Sequence, residues 1–207
     1  MKGLFVKDLC LLRSQSRASL LIVVMGIAFS LTNDGVFGTG YIGVLFATLA
    51  LSTLSYDEYD HGYPFLFTLP FTRKEYIREK FLFSLLMGLG GTLLGACVDL
   101  LSGNILLDEV LFTAVGVSAV LLLLSCVMIP MRLKFDNEQG RTLTGLILGL
   151  LIAAVILAAK LVPPEKLSAL AAAAESGTGI AAATAIGALL VFLSYGASVR
   201  ILEAKEF

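Results

Sequence analysis

The chain has 207 residues, 57% of them apolar and 15% charged, with a net charge of −1 and a mean hydropathy of +0.91. Soluble domains carry about a quarter charged residues and under half apolar ones, so this chain has too little polar surface to coat a globule of its length. The near-zero balance excludes bulk attraction to nucleic acid or acidic lipid, and the bilayer is the natural solvent.

The opening "MKGLFVKDLCLLRSQSR" breaks its apolar residues with Lys7, Asp8 and Arg13 and has no small-residue cleavage site, which argues against a signal peptide. Crossing about 30 Å of hydrocarbon takes about 20 apolar residues in a helix. Six segments answer: Ala18–Thr32, Val36–Ser55, Phe81–Leu101, Val110–Ile129, Leu143–Val162 and Ile180–Val199. The first is short, with Arg17 placed to snorkel to the interface. None alternates with period two, which excludes barrel strands, so the chain reads as an all-α membrane protein.

"NDGVFG" after the first span reads as a tight turn. The connection after the second span is different in kind: "SYDEYDHGYPFLFTLPFTRKEYIREK", residues 55 to 80, gathers seven aromatic residues, two prolines and charges of both signs. Thr72 with Glu75 forms a capping box just after Pro70, so a helix starting near Arg73 runs on into the third span. The first half interleaves Asp57, Glu58 and Asp60 with Tyr56, Tyr59, Tyr63, Phe65 and Phe67. Such a cluster lies on the membrane surface or fills a groove in a partner protein. The carboxylates would be repelled by an anionic leaflet, which favours the groove.

The third span carries "MGLGGTLLGAC", where Gly91 and Gly95 form a small-xxx-small pair; Gly145 and Gly149 form another in the fifth. Close helix packing explains both, within the chain or against a second protomer. "LSGNILLDEV" is a short connection, and Asp99 beside it reads as interfacial. Between the last two spans, "KLVPPEKLSALAAAAESGTG" reads as a short outer helix over 163–177, closed by Gly177; the alternative is a flexible alanine-rich loop. Cys10, Cys97 and Cys126 have no metal or redox spacing and read as small buried hydrophobes.

With six spans both termini share one side. That side holds 13 of the 15 basic residues, leaving Lys160 and Lys166 opposite. The positive-inside rule therefore places the termini, the 55–80 segment and the 130–142 loop in the cytoplasm.

"DEYDHGYPFLFTLPFTRKEYIREKFL" resembles the first cytoplasmic loop of ABC-2 type transporter permeases, and "PMRLKFDNEQGR" is similar to a pattern in a small bacterial subgroup that includes exporters of phenol-soluble modulins and related peptides. Asp136 departs from that pattern, which expects glycine there. The resemblance implies a single transmembrane permease domain over 1–207, with residues 1–16 as an amphipathic elbow helix before the first span. It implies a coupling helix between spans two and three, touching the ATPase through Asp57, Glu58, Tyr59, Asp60, His61, Tyr63, Phe65 and Phe67, and a second cytoplasmic contact at Lys134, Phe135, Glu138 and Arg141. It further implies two permease protomers, identical or related, in a bacterial plasma membrane. Separate ATPase subunits would supply ATP and magnesium, and the cargo would be an amphipathic peptide or lipid-like compound.

The chain itself has no G-x-x-x-x-G-K-[ST] and no H-E-x-x-H, and its one histidine, His61, lies in a loop. This points away from an enzyme. An ion-coupled secondary transporter would need ionisable residues at mid-membrane, which these spans scarcely carry. A non-transporting membrane scaffold or immunity protein that docks a cytoplasmic partner stays open.

Overall fold

A computed structural model describes residues 2–14, 16–32, 36–59, 63, 66, 68, 71–101, 107–135, 142, 145, 146, 149, 150 and 177–204. Among these the chain is all-α, with six helices: α1 (Lys2–Ser14), α2 (Ser16–Thr32), α3 (Phe37–Tyr59), α4 (Arg73–Leu101), α5 (Leu107–Lys134) and α6 (Gly177–Ala204). Four of them, α3 to α6, are long and apolar enough to cross a membrane. The 17-residue α2 falls below that length, and α1 and α2 together form a pair bent by 67°. Among the described residues four helices therefore meet the length and hydropathy of a span, or five if the bent pair is one span. The expected fifth span, Leu143–Val162, lies outside the described residues except at Gly145, Leu146, Gly149 and Leu150, and the 163–177 stretch lies outside except at Gly177. Gly177 is the first residue of α6.

The helices overrun their apolar stretches at the charged ends. α3 continues to Tyr59, past the expected Ser55, and α5 runs through Pro130 to Lys134. α4 starts where the capping box directs: the Thr72 amide donates to Glu75 Oε2 at 2.9 Å and the Glu75 amide donates to Thr72 Oγ1 at 3.2 Å. That Thr72 amide, then its hydroxyl, holds the Glu75 carboxyl below its ordinary value. The first two turns of α4, Arg73–Lys80, are charged and precede the apolar segment that begins at Phe81.

The centre of the bundle is the α3–α4 pair. Their approach is set by glycine: a Cβ on Gly91 would lie 2.7 Å from Phe46 Cβ and 3.0 Å from the Ile42 carbonyl oxygen, and one on Gly95 would lie 2.6 Å from Thr39 Cα. No larger residue fits against backbone at that spacing. Gly91 and Gly95 thus face α3 of the same chain. A Cβ on Gly145 or Gly149 would meet nothing within 4 Å among the described residues. Near the end where α3 finishes and α4 begins, Leu51, Leu54, Tyr76, Ile77, Phe81, Met128, Ile129, Leu133 and Leu202 form the main core. α1 leans on this end with Leu12 and Phe5 beside Ala50 and Phe83, Phe5 meeting Phe83 edge-on at 5.9 Å. The outward sides of α2, α5 and α6 are apolar, as hydrocarbon requires. Of the cysteines, Cys126 is buried, whereas Cys10 and Cys97 are exposed on the chain's own surface.

Candidate functional site

Three helices meet where α3 ends. Thr53 and Asp57 stand one turn apart on α3, Tyr76 and Lys80 one turn apart on α4, and α1 brings Lys7 and Asp8. The four charges alternate around a square. Lys80 pairs with Asp8, and with Asp57 at 2.9 Å; Lys7 pairs with Asp57, and with Asp8 at 3.2 Å. Each lysine therefore bridges both aspartates.

The neighbours complete the polar shell. The Tyr76 hydroxyl donates to Asp57 Oδ2 at 2.8 Å, Lys80 Nζ donates to Thr53 Oγ1 at 3.0 Å, and Thr53 Oγ1 donates to Asp8 Oδ2 at 3.2 Å. Lys80 Nζ also sits 5.3 Å from the Tyr76 ring centroid. Asp8, Lys80 and Asp57 are buried, and Lys7 is partly exposed. Charges withdrawn from water hold only when paired and hydrogen-bonded, and here the lysines and the two aspartates balance.

Further polar contacts tie the other helices to the same end. Arg132 of α5 donates from Nη1 to the Leu51 carbonyl at 2.9 Å and to Ser55 Oγ at 2.8 Å. Arg73, the first residue of α4, donates to the Leu202 and Glu203 carbonyls at 2.8 and 2.9 Å, satisfying orphan acceptors at the end of α6. α1, α3, α4, α5 and α6 are thereby joined at one end of the bundle.

The proposed contact residues are placed unevenly. Asp57 is inside, committed to Lys7, Lys80 and Tyr76. Tyr63 is buried too, its ring edge-on to Tyr76 at 6.1 Å, and Leu66 enters the same core. Neither Asp57 nor Tyr63 is presented outward as a plug. Glu58 and Tyr59 close α3, while Asp60, His61, Phe65 and Phe67 lie outside the described residues. Lys134 is exposed at the end of α5 with its amine 5.6 Å from the Phe135 ring centroid; Glu138 and Arg141 lie outside the described residues. Among the described residues no group of three His, Cys, Asp or Glu could hold a metal.

Sequence reasoning missed Lys7, Asp8, Tyr76, Lys80 and Arg132 as a set. The signal was present: Asp8 interrupts an apolar helix, and Lys80 stands directly before an apolar run, where a charge is costly unless paired. Asp99 stands near the end of α4. It is buried, accepting from Ser30 Oγ (2.7 Å), the Gly38 amide (2.9 Å), and the Thr39 amide and hydroxyl (both 2.7 Å). From α4 it caps the first turn of α3, where unpaired amides favour an anion.

No curated protein and no solved structure matches the chain. A model of the family described as ABC-2 family transporter protein matches residues 3–203. Nearly the whole length is covered, so this apolar helical chain belongs to the ABC-2 transporter family and is a membrane component of an ABC transporter.

Proposed function

We propose that the chain is the permease of an ATP-binding-cassette exporter, driven from the cytoplasm by separate ATPase subunits that act on the segment following α3. The observation that carries this reading is the ion square. It fastens the last turn of α3, immediately before that segment, to α1 and α4. A push on residues 58–67 therefore moves three helices together rather than bending one. Within the segment the work divides: Asp57 and Tyr63 seat it on the bundle, while Glu58, Tyr59, Asp60, His61, Phe65 and Phe67 supply the ATPase contact. Lys134, Phe135, Glu138 and Arg141 form the second cytoplasmic contact.

The remaining features follow from the same reading. Both termini are cytoplasmic in a bacterial plasma membrane, with α1 as the elbow helix. Two protomers pair, and ATP-driven closure of the motors alternates access to a path between them. Apolar helix faces suit amphipathic peptides or lipid-like compounds, the cargo of the modulin-exporter subgroup. ATP and magnesium are bound by the partner ATPase. Asp99 supports this over an ion-coupled carrier, because its carboxylate is engaged in helix capping.

Co-purification tests the reading. The full chain expressed with an ABC ATPase from the same organism should retain that ATPase, and the hydrolysis rate should depend on the chain. Retention of nothing, together with transport in vesicles driven by a proton gradient alone, would favour a secondary carrier. A bound partner without any ATPase activity would favour a scaffold.

A further inference from the structure

Directly before Lys80 on α4 is a carboxylate that the ion square does not use. Glu79 is 0% exposed, and among the described residues neither of its carboxylate oxygens has a hydrogen-bond partner. It stands one turn before Phe83, the residue that receives Phe5 of α1, so it lies on the side of α4 that α1 covers. The charges that face it are Lys7 and Asp8 from α1, Asp57 from α3, and Lys80 beside it. Lys7 and Lys80 are already shared between Asp8 and Asp57. Among the described residues Glu79 is thus a third carboxylate against two cations, covered by the chain itself. One proton balances the count.

We propose that Glu79 is a buried proton-binding site that links docking of α1 to proton uptake. While α1 lies against α3 and α4 at a pH below about 7, the carboxyl is mostly neutral and holds a proton taken from the surrounding water. When α1 leaves α3 and α4, the carboxyl meets water and releases that proton. What holds α1 in place is Leu4 in the main core, Leu12 and Phe5 beside Ala50 and Phe83, and the square, and α1 and α2 are bent by 67°. The inference stands apart from the proposed transport function and holds whatever drives the protein.

The direction with pH follows from the burial. Loss of water around the docked Glu79 pushes its carboxyl from 4.5 up to about 7; Lys80 and Lys7 oppose this, and Asp8 and Asp57 reinforce it. Docking is therefore favoured fully below 4.5, weakens about tenfold per pH unit between there and about 7, and is level above.

The test uses the full chain in lipid nanodiscs, diluted with unlabelled protein so that only distances within one copy are read. Spin labels at Cys10 on α1 and at Leu86→Cys on α4, in a Cys97→Ser, Cys126→Ala background, report the docking of α1. Infrared difference spectra report protonated carboxyl. Between about pH 5.5 and about pH 8.5 the ratio of docked to released α1 should fall about thirtyfold, together with loss of a protonated-carboxyl band. E79Q, neutral at every pH, should stay docked throughout and lack that band change, while E75Q at the exposed cap should behave as the wild type. A wild-type distance that does not change with pH, or a carboxyl band that persists unchanged in E79Q, overturns the proposal. Were E79Q to misfold, the wild-type spectra alone would still decide, since no protonated carboxyl near neutral pH is an equally clear failure.

Discussion

α3 and α4 are joined at both ends by opposite means. At the Asp99 end the join is made of backbone: Gly95 lies directly on Gly38 and Thr39, and one carboxylate caps the first turn of α3. At the Asp57 end it is made of long side chains, with four alternating charges that also hold α1. Contacts between backbones tolerate no sliding, because no rotamer is available to absorb it. Lysine and aspartate pairs can lengthen, exchange partners and reform. The comparison teaches that the α3–α4 pair is fixed at one end and adjustable at the other. The adjustable end is where the segment assigned to the ATPase leaves the bundle.

Substitutions can break each join separately. The largest effect is expected from Lys80→Met, which leaves the buried Asp8 and Asp57 with Lys7 as their shared cation and should cost about 3–5 kcal/mol in thermal unfolding of the purified chain. Replacing the whole square with apolar residues of similar volume (Lys7→Met, Asp8→Leu, Asp57→Leu, Lys80→Met) should recover most of that loss. If the square is an adjustable joint, this recovered protein would be stable yet no longer change its ATPase partner's rate. At the other end, Gly95→Val forces side-chain atoms into α3 backbone, with about 1–3 kcal/mol lost and a lower yield of folded protein.

Asp99→Ala should cost about 1–3 kcal/mol, because the Gly38 and Thr39 amides lose their acceptor in a buried place. Asp99→Asn, which keeps an acceptor, should recover part of it. The smallest effect belongs to Thr72→Ala at the start of α4, about 1 kcal/mol, read as a lower melting temperature with no change in partner binding. Equal sensitivity of ATPase stimulation to Asp99→Asn and to the apolar square would erase the distinction between the two ends.

Much of this was legible in the sequence, and the reasons are physical. Apolar runs longer than a bilayer is thick give helices, so α3 to α6 were readable, as were the Thr72–Glu75 cap and the tight packing of Gly91 and Gly95. Helix ends were less so, since charged turns such as Tyr56–Tyr59 or Arg132–Lys134 extend a helix beyond its apolar stretch without changing its hydropathy. The ion square was not legible as a square. Its directly paired members lie as much as 72 residues apart, and alternation between two lysines and two aspartates arises only when three helices converge. Asp57 and Tyr63 illustrate the consequence: an acidic and an aromatic residue in a polar stretch read as surface, yet both turn inward because Lys80 and Tyr76 stand opposite.

The measurement that bears most directly on the central claim is photo-crosslinking from positions 65 and 67 in the complex with the ATPase. The account predicts crosslinks to the ATPase from both positions, with yields that change when ATP is added. Crosslinks to lipid alone, or labelling of either position by an impermeant reagent from the outer side of intact cells, would contradict it.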